Sequence, residues 1–155
     1  MTCASRSGEE GITMSVIKRF DHVSIGVKDI DRAKSLFVDI LGAEPLADEG
    51  VSESEGFAWT TFKLGGKKME LVNASSTDSG VGRYIEKHGE GYHHISIAVE
   101  DLKKAIEYFE SKGLRILSPN FERETWKHCY LHPKDTFGAL IQIFEENEET
   151  LSAAG

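Results

Sequence analysis

The chain has 155 residues, 39% of them hydrophobic and 28% charged, with a formal net charge of −8 at pH 7. That is the size of one domain, too apolar for a disordered chain and too acidic for a nucleic-acid-binding surface, which needs a basic stripe. Cys3 and Cys129 are the only cysteines; they cannot build a disulfide framework, so a reducing cytoplasm is expected, and no apolar run approaches the ~18 residues of a membrane span.

Residues 1–16 are small and polar, without the apolar centre of a signal peptide, and are expected to be a disordered extension. A strand follows over Ile17–Val27. Asp29 or Asp31 then caps a helix over Ile30–Leu41, whose Ala33, Leu36, Phe37, Ile40 and Leu41 recur at the spacing of one buried face, and Gly42 ends it. Ala43–Ala47 reads as a weak strand, with Pro45 marking an edge, and Asp48–Gly56 as an acidic loop. Phe57–Leu64 and Lys67–Asn73 are strands joined by the Gly65-Gly66 turn. A polar link and a short helix over Val81–Lys87 lead to Gly89 and Gly91, which stop it. The order then repeats: strand His93–Val99, helix Leu102–Ser111 with Gly113 behind it, and a short strand Leu114–Leu117 ending before Pro119. A polar loop Asn120–Lys127, strand Lys127–His132, turn Pro133–Gly138 and strand Ala139–Phe144 complete it. Residues 147–155 read as an acidic tail.

Each half is therefore β-α-β-β-β, and the halves share their wording. His22 matches His94, Ser24 matches Ser96, Asp29 matches Asp101, Gly66 matches Gly138 and Glu70 matches Gln142, every pair 72 positions apart. A repeat held at several positions indicates two copies of one unit. The expected fold is α+β: two tandem βαβββ modules forming a curved mixed sheet around a shared cleft. One domain spans 17–146, with module one at about 17–75, a linker helix region at 76–91 and module two at about 92–146.

The repeat also groups the chemistry. His22 and His94 open the first strand of each module, and Glu70 and Gln142 sit midway along the last. Side chains alternate along a strand. If Met69 and Leu71, and Ile141 and Ile143, face the helices, then Glu70 and Gln142 face the concave side. Two imidazoles, a carboxylate and an amide oxygen suit a divalent metal with open positions; Co, Mn, Ni, Zn, Fe and Mg are not distinguished. A lone strand histidine or in-strand glutamate is ordinarily structural, and it is the repeat equivalence that singles these four out. His93 should point to the opposite face from His94 and be structural or a support for a ligand, without touching the metal itself. His88 suits a helix C-terminus, His132 a turn, and Cys129 the core. His128 lies on a strand lining the second half.

Several pieces carry a family resemblance: Asp21-His22-Val23-Ser24-Ile25, Lys68-Met69-Glu70-Leu71-Val72, the run Glu86-Lys87-His88-Gly89-Glu90-Gly91 into His93-His94, and Leu131-His132-Pro133-Lys134-Asp135. On these the chain resembles the vicinal oxygen chelate superfamily over about Ile17–Glu145, and within it the methylmalonyl-CoA epimerase branch. The resemblance implies His22, Glu70, His94 and Gln142 as ligands of a divalent metal ion. It implies an isomerase that moves a proton alpha to a carbonyl through a metal-stabilised enolate. It further implies a small-molecule substrate such as an acyl-CoA thioester and a homodimer, while the acidic charge and the lack of a long apolar run give neither nucleic acid nor membrane as an expected partner. The chain departs from the epimerase pattern at Gln142, where those enzymes carry a glutamate that also transfers a proton. An amide oxygen can ligate but cannot take a proton from carbon, which leaves Glu70, Glu53 and Glu55 as the expected catalytic carboxylates. The Phe121–Trp126 loop is also bulkier than the usual glycine-rich one. The alternatives on this fold are a glyoxalase I-like lyase acting on another small substrate and a metal-free, bleomycin-resistance-like binding protein. An extradiol dioxygenase fits less well, because it needs a carboxylate where Gln142 stands.

Overall fold

The structure, a computed structural model, describes residues 15–153, so nearly all of the expected N-terminal extension lies outside it. The first module contains β1 (Ile17–Gly26), α1 (Ile30–Ser35), β2 (Glu44–Ser52), β3 (Phe57–Leu64) and β4 (Lys67–Ala74). Helix α2 (Gly80–His88) links it to the second module, which contains β5 (Gly91–Val99), α3 (Leu102–Ser111), β6 (Ile116–Arg123), β7 (Trp126–Leu131) and β8 (Ile141–Glu145). A last helix, α4, spans Glu148–Ala153.

The eight strands form one mixed, curved sheet in the order β2-β3-β4-β1-β5-β8-β7-β6. Each module lays its first strand parallel to its last, β1 beside β4 and β5 beside β8. The modules join where β1 and β5 run antiparallel at the centre. The four residues singled out by the repeat therefore sit on the four middle strands.

Each module has its own core between sheet and helix. In the first, Phe62 and Leu71 are fully buried, and Phe37 stacks on Phe62 with ring centroids 4.9 Å apart. In the second, Leu102, Ala105 and Phe109 of α3 pack on Val99, Cys129, Leu131 and Ile143. Burial pushes the Cys129 thiol up to about 12, as suits a core residue. Asp29 and Asp101 cap α1 and α3 by accepting from the backbone N–H groups of Arg32 and Lys104.

Four expectations are corrected. The helix after β1 does not bury Leu36, Ile40 and Leu41; all three are exposed, Ile40 at 74%. Beyond Ser35 the chain takes a π-helical turn over Leu36–Ile40, in which Leu41 N–H donates to Leu36 O at 3.0 Å. The wider turn rotates the face, so that Ala33 and Phe37 meet the core as expected but Val38 joins them in place of Leu36, Ile40 and Leu41. The acidic stretch from Asp48 is strand as far as Ser52, because β3 and β4 partner its charges. Trp59 Nε1 and Lys68 Nζ donate to Asp48 at 3.0 and 3.2 Å, and Thr60 Oγ1 donates to Glu49 at 3.0 Å.

Strand β6 likewise continues through Pro119 to Arg123. It is an edge strand, where a missing N–H costs no ladder bond, and a bulge at Ser118 (φ 48°) absorbs the proline. The segment after β8 is docked as well as acidic. Glu146 and Thr150 are buried, and Lys18 and Arg19 form ion pairs with Glu146. Among the described residues no helix is long and apolar enough to cross a membrane.

Candidate metal centre

Strand β1 contributes Asp21 and His22, both buried and in the middle of the strand instead of at its start. Asp21 Oδ2 lies 2.5 Å from His22 Nδ1, which places the proton on Nδ1 and leaves Nε2 as the free nitrogen. Lys68 Nζ, 3.3 Å from Asp21, and the Arg19 guanidinium hold that carboxylate in turn. Burial opposes ionisation of Asp21, but the His22 bond and the Lys68 charge prevail and hold its pKa well below the usual carboxylate range.

The parallel register of β1 and β4 sets Ser24 beside Glu70, and Ser24 Oγ donates to Glu70 Oε1 at 2.9 Å. The same oxygen is 3.5 Å from His22 Nε2 and 3.8 Å from His94 Nε2. One ligand atom from each of His22, Glu70 and His94 lies within 4.8 Å of the others. His22 is 4% exposed and His94 5%, and neither Nε2 has a hydrogen-bond partner among the described residues. Two orphaned imidazole nitrogens facing one carboxylate are what a cation resolves.

Gln142 occupies the repeat-equivalent place. Ser96 Oγ donates to its Oε1 at 2.8 Å, the Ser24–Glu70 hydrogen bond displaced by 72 residues. Its Nε2 donates to Tyr130 Oη at 3.2 Å. The amide oxygen keeps a second lone pair, as a ligand requires.

His93 does not simply point away from His94. Opposite Ser24 and Ile25 the β5 register shifts by a bulge, and the two imidazoles come together with Nδ1 atoms 2.8 Å apart. Were His94 to ligate a metal through Nε2, its Nδ1 proton would be donated to His93 Nδ1, and His93 would orient it. Burial lowers the pKa of His94 to about 3 and of His93 to about 4, which keeps both neutral. Burial would also lower His22, but its hydrogen bond to Asp21 and the nearby Glu70 carboxylate raise it to about 9. Glu70 is held below its ordinary value, because His22 and His94 outweigh the burial that would raise it.

Next to this cluster opens a cleft of about 510 Å³. Its walls include Glu55 from the β2–β3 turn, Tyr84 of α2, His93, and His128 and Tyr130 of β7. Ser52 Oγ donates to Glu55 at 3.1 Å. Glu53 is exposed in the same turn and does not line the cleft. His88 ends α2 as expected and stacks on Tyr84, while His132 accepts from Lys134 N–H at the start of a 3₁₀ turn. Asp21, bonded to His22, and Tyr130, on the cleft wall, are candidate site positions that sequence reasoning passed over. An aspartate directly before a strand histidine was a usable signal for the first. Tyr130 carried none, since its place depends on the β7–β8 register that sets it opposite Gln142.

Paired βαβββ modules around a buried His-Glu-His cluster define a metal-binding protein of the vicinal oxygen chelate type. The chain belongs to the glyoxalase/bleomycin resistance protein/dioxygenase superfamily, whose sequence pattern matches residues 21–130. Within it the chain is closely related to methylmalonyl-CoA epimerases. It is 33% identical to the mitochondrial methylmalonyl-CoA epimerase of Mus musculus over 135 residues, covering 81% of this chain and 71% of the relative. It is 30% identical to the ethylmalonyl-CoA/methylmalonyl-CoA epimerase of Cereibacter sphaeroides, covering 83% and 98%. The crystal structure of methylmalonyl-CoA epimerase from Mycobacterium tuberculosis superposes with a TM-score of 0.78 at 25% identity, covering 94% of this chain and 98% of that one. A methylmalonyl-CoA epimerase in complex with methylmalonyl-CoA and NH4+ superposes at 0.74 with 28% identity, covering 85% and 96%. The cluster and this relationship together make the chain a divalent-metal-dependent enzyme of the isomerase type acting on a small molecule.

Proposed function

We propose that the protein moves a proton alpha to the carbonyl of an acyl-CoA thioester, with Gln142 as fourth ligand beside His22, Glu70 and His94. The observation that carries the proposal is the pair of buried, unpartnered Nε2 atoms of His22 and His94 facing Glu70. A bound divalent ion supplies Lewis-acid polarisation of the substrate carbonyl. Asp21 and His93 fix the two imidazoles so that both present Nε2. Glu70 is committed to the two histidines, which suits a ligand better than a base. Glu55 is the proposed base, because it lines the cleft and Glu53 does not. Tyr84 and Tyr130 cover part of the cleft wall and limit water at the reacting carbon. Burial pushes the Tyr130 phenol up to about 12, so it stays protonated.

One observation favours a second reading, a glyoxalase I-like lyase. Gln142 is an amide, so a second carboxylate is missing where two-base epimerisation would use one. A homodimer belongs to the same proposal and is supported by the exposed apolar row Leu36, Ile40 and Leu41, with sedimentation as the direct readout.

Incubation with methylmalonyl-CoA in deuterated water tests the first reading. Metal-dependent exchange of the α-proton, abolished by a chelator, is expected. Absence of exchange in the metal-loaded protein, with turnover of a hemithioacetal instead, would transfer the assignment to the lyase.

A further inference from the structure

Neighbouring side chains on a regular strand point to opposite faces, so Asp21 and His22 would not ordinarily meet. They meet because the β1 register slips against β5 between Phe20 and His22, a bulge that leaves both side chains buried. Both oxygens of the Asp21 carboxylate are then committed. Oδ2 lies 2.5 Å from His22 Nδ1 and 3.3 Å from Lys68 Nζ, and Oδ1 accepts from Arg19 Nη1 at 2.5 Å. The rest of the Arg19 fork belongs to Glu146. Nε donates to Glu146 Oε1 at 2.8 Å, and Nη2 donates to the same oxygen. Glu146 is the first residue beyond β8, and its backbone N–H is tied to Val99 O at 2.8 Å. A continuous line of charged hydrogen bonds therefore runs Glu146, Arg19, Asp21, His22, from the end of module two to an imidazole of the metal centre on module one.

The exposure along this line is uneven. The Arg19 side chain is 43% exposed, whereas those of Asp21 and Glu146 are 6% and 4% exposed. A long side chain half in water samples many rotamers unless something holds it. The buried Glu146 carboxylate, fixed by its backbone, holds Arg19 from one side and keeps Nη1 on Asp21. Lys18 pairs with the same Glu146, 3.5 Å from Oε2, but among the described residues it has no bond to Asp21.

We propose that Glu146 is a positioning residue for the metal centre. Acting through Arg19, it fixes the Asp21 carboxylate and with it the direction of His22 Nε2, which makes the docked segment after β8 part of the site. This rests on the metal-centre reading above and extends it to a residue outside the cleft.

The test uses the full chain with Co²⁺ alone as the probe, and denaturant titration alongside to follow stability. Glu146→Gln is expected to weaken Co²⁺ binding, read by calorimetry, by about five-fold or more, and Arg19→Met by about ten-fold, as for loss of support behind a ligating histidine. Lys18→Ala, which touches the same carboxylate, is expected to change Co²⁺ affinity by less than about two-fold. In an Asp21→Asn background Glu146→Gln is expected to add less than about two-fold, because the line is already cut. A second readout needs no metal. The His22 Nδ1 proton, held on Asp21, is expected to give a sharp low-field proton NMR line in the metal-free chain. That line is expected to broaden or vanish in Glu146→Gln and Arg19→Met and to persist in Lys18→Ala. An unchanged line and affinity in Glu146→Gln would overturn the proposal. So would a loss matched by Lys18→Ala, or one undiminished in the Asp21→Asn background, since either would mark a merely structural role. A wild-type chain that shows the line and its dependence on Glu146 but takes up no Co²⁺ would uphold the positioning of His22 and overturn the metal-centre reading alone.

Discussion

Metal uptake should expel one proton, and that proton should come from His22. In the metal-free protein His22 lies between two carboxylates, with Asp21 Oδ2 2.5 Å from Nδ1 and Glu70 Oε1 3.5 Å from Nε2. Burial alone would lower its pKa, but these partners raise it to about 9. His94 is brought down to about 3 by burial and is already neutral. A divalent ion must therefore displace a proton from His22 and none from His94. Below pH 9 apparent affinity should climb ten-fold per pH unit. From pH 7 to 9, with the slope fading as pH nears the pKa, that is about fifty-fold, about 2 kcal/mol, and above it the curve should flatten. The same shift acts on folding. Because the folded pKa lies above the free value of 6.5, its stabilisation of the metal-free chain is complete below about pH 6.5 and is lost as pH rises through 9. Calorimetric titration with Co²⁺ or Mn²⁺ in two buffers of unequal ionisation enthalpy counts the released protons. A count near zero at pH 7, or an affinity that is flat between pH 6.5 and 8.5, would refute the reasoning.

Three further outcomes follow from individual residues. Asp21→Asn keeps an acceptor for His22 but removes its charge, so metal affinity should drop by about 10–100-fold and proton release at pH 7 should shrink. Glu55→Gln should slow α-proton exchange by about 10²–10⁴-fold with metal content unchanged, and an undiminished rate would remove Glu55 as the base. A Cβ added at Gly82 would collide with Ser76 O and stand 2.9 Å from Thr77 Cα, both backbone atoms that cannot swing away. Gly82→Ala should therefore destabilise by about 1–3 kcal/mol in denaturant titration, and an unmoved midpoint would show that the α2 link yields easily.

Much of this was legible because periodicity and the 72-residue offset are local facts of the chain. Alternation revealed the strands, and the offset selected His22, Glu70 and His94, which the fold brings together, out of six histidines and many acids. The rest depended on contacts between distant segments. Nothing in Leu36–Leu41 announces that one backbone bond widens by a residue and carries three apolar side chains outward. Asp48 and Glu49 look like loop residues until Trp59, Thr60 and Lys68 are placed beside them. Strict alternation sent His93 to the wrong side, because the bulge that reunites it with His94 is a property of the β1–β5 pairing. Glu53 and Glu55 are interchangeable as text, and only the turn distinguishes them.

The two modules write one hydrogen bond twice, Ser24 to Glu70 and Ser96 to Gln142, yet they differ in charge. Among the four proposed ligands, with His22 deprotonated and His94 neutral, Glu70 alone brings negative charge, and the Asp21 carboxylate is offset by Lys68 and Arg19, so a divalent ion would leave the ligand set at one net positive charge. A second glutamate would cancel it. In a buried site an uncancelled charge strongly favours an oxygen that is anionic or becomes so during reaction. Gln142 thus gives up a proton-transfer group and leaves a centre biased toward binding anions, with proton movement assigned to Glu55 across the cleft. The bias predicts an inversion. Gln142→Glu should hold the metal ion more tightly, since a carboxylate is the stronger ligand, and should bind malonate, a dicarboxylate probe, more weakly, since the net positive charge is lost. A Gln142→Glu protein that binds ion and malonate alike more tightly would show that charge balance is not what position 142 controls.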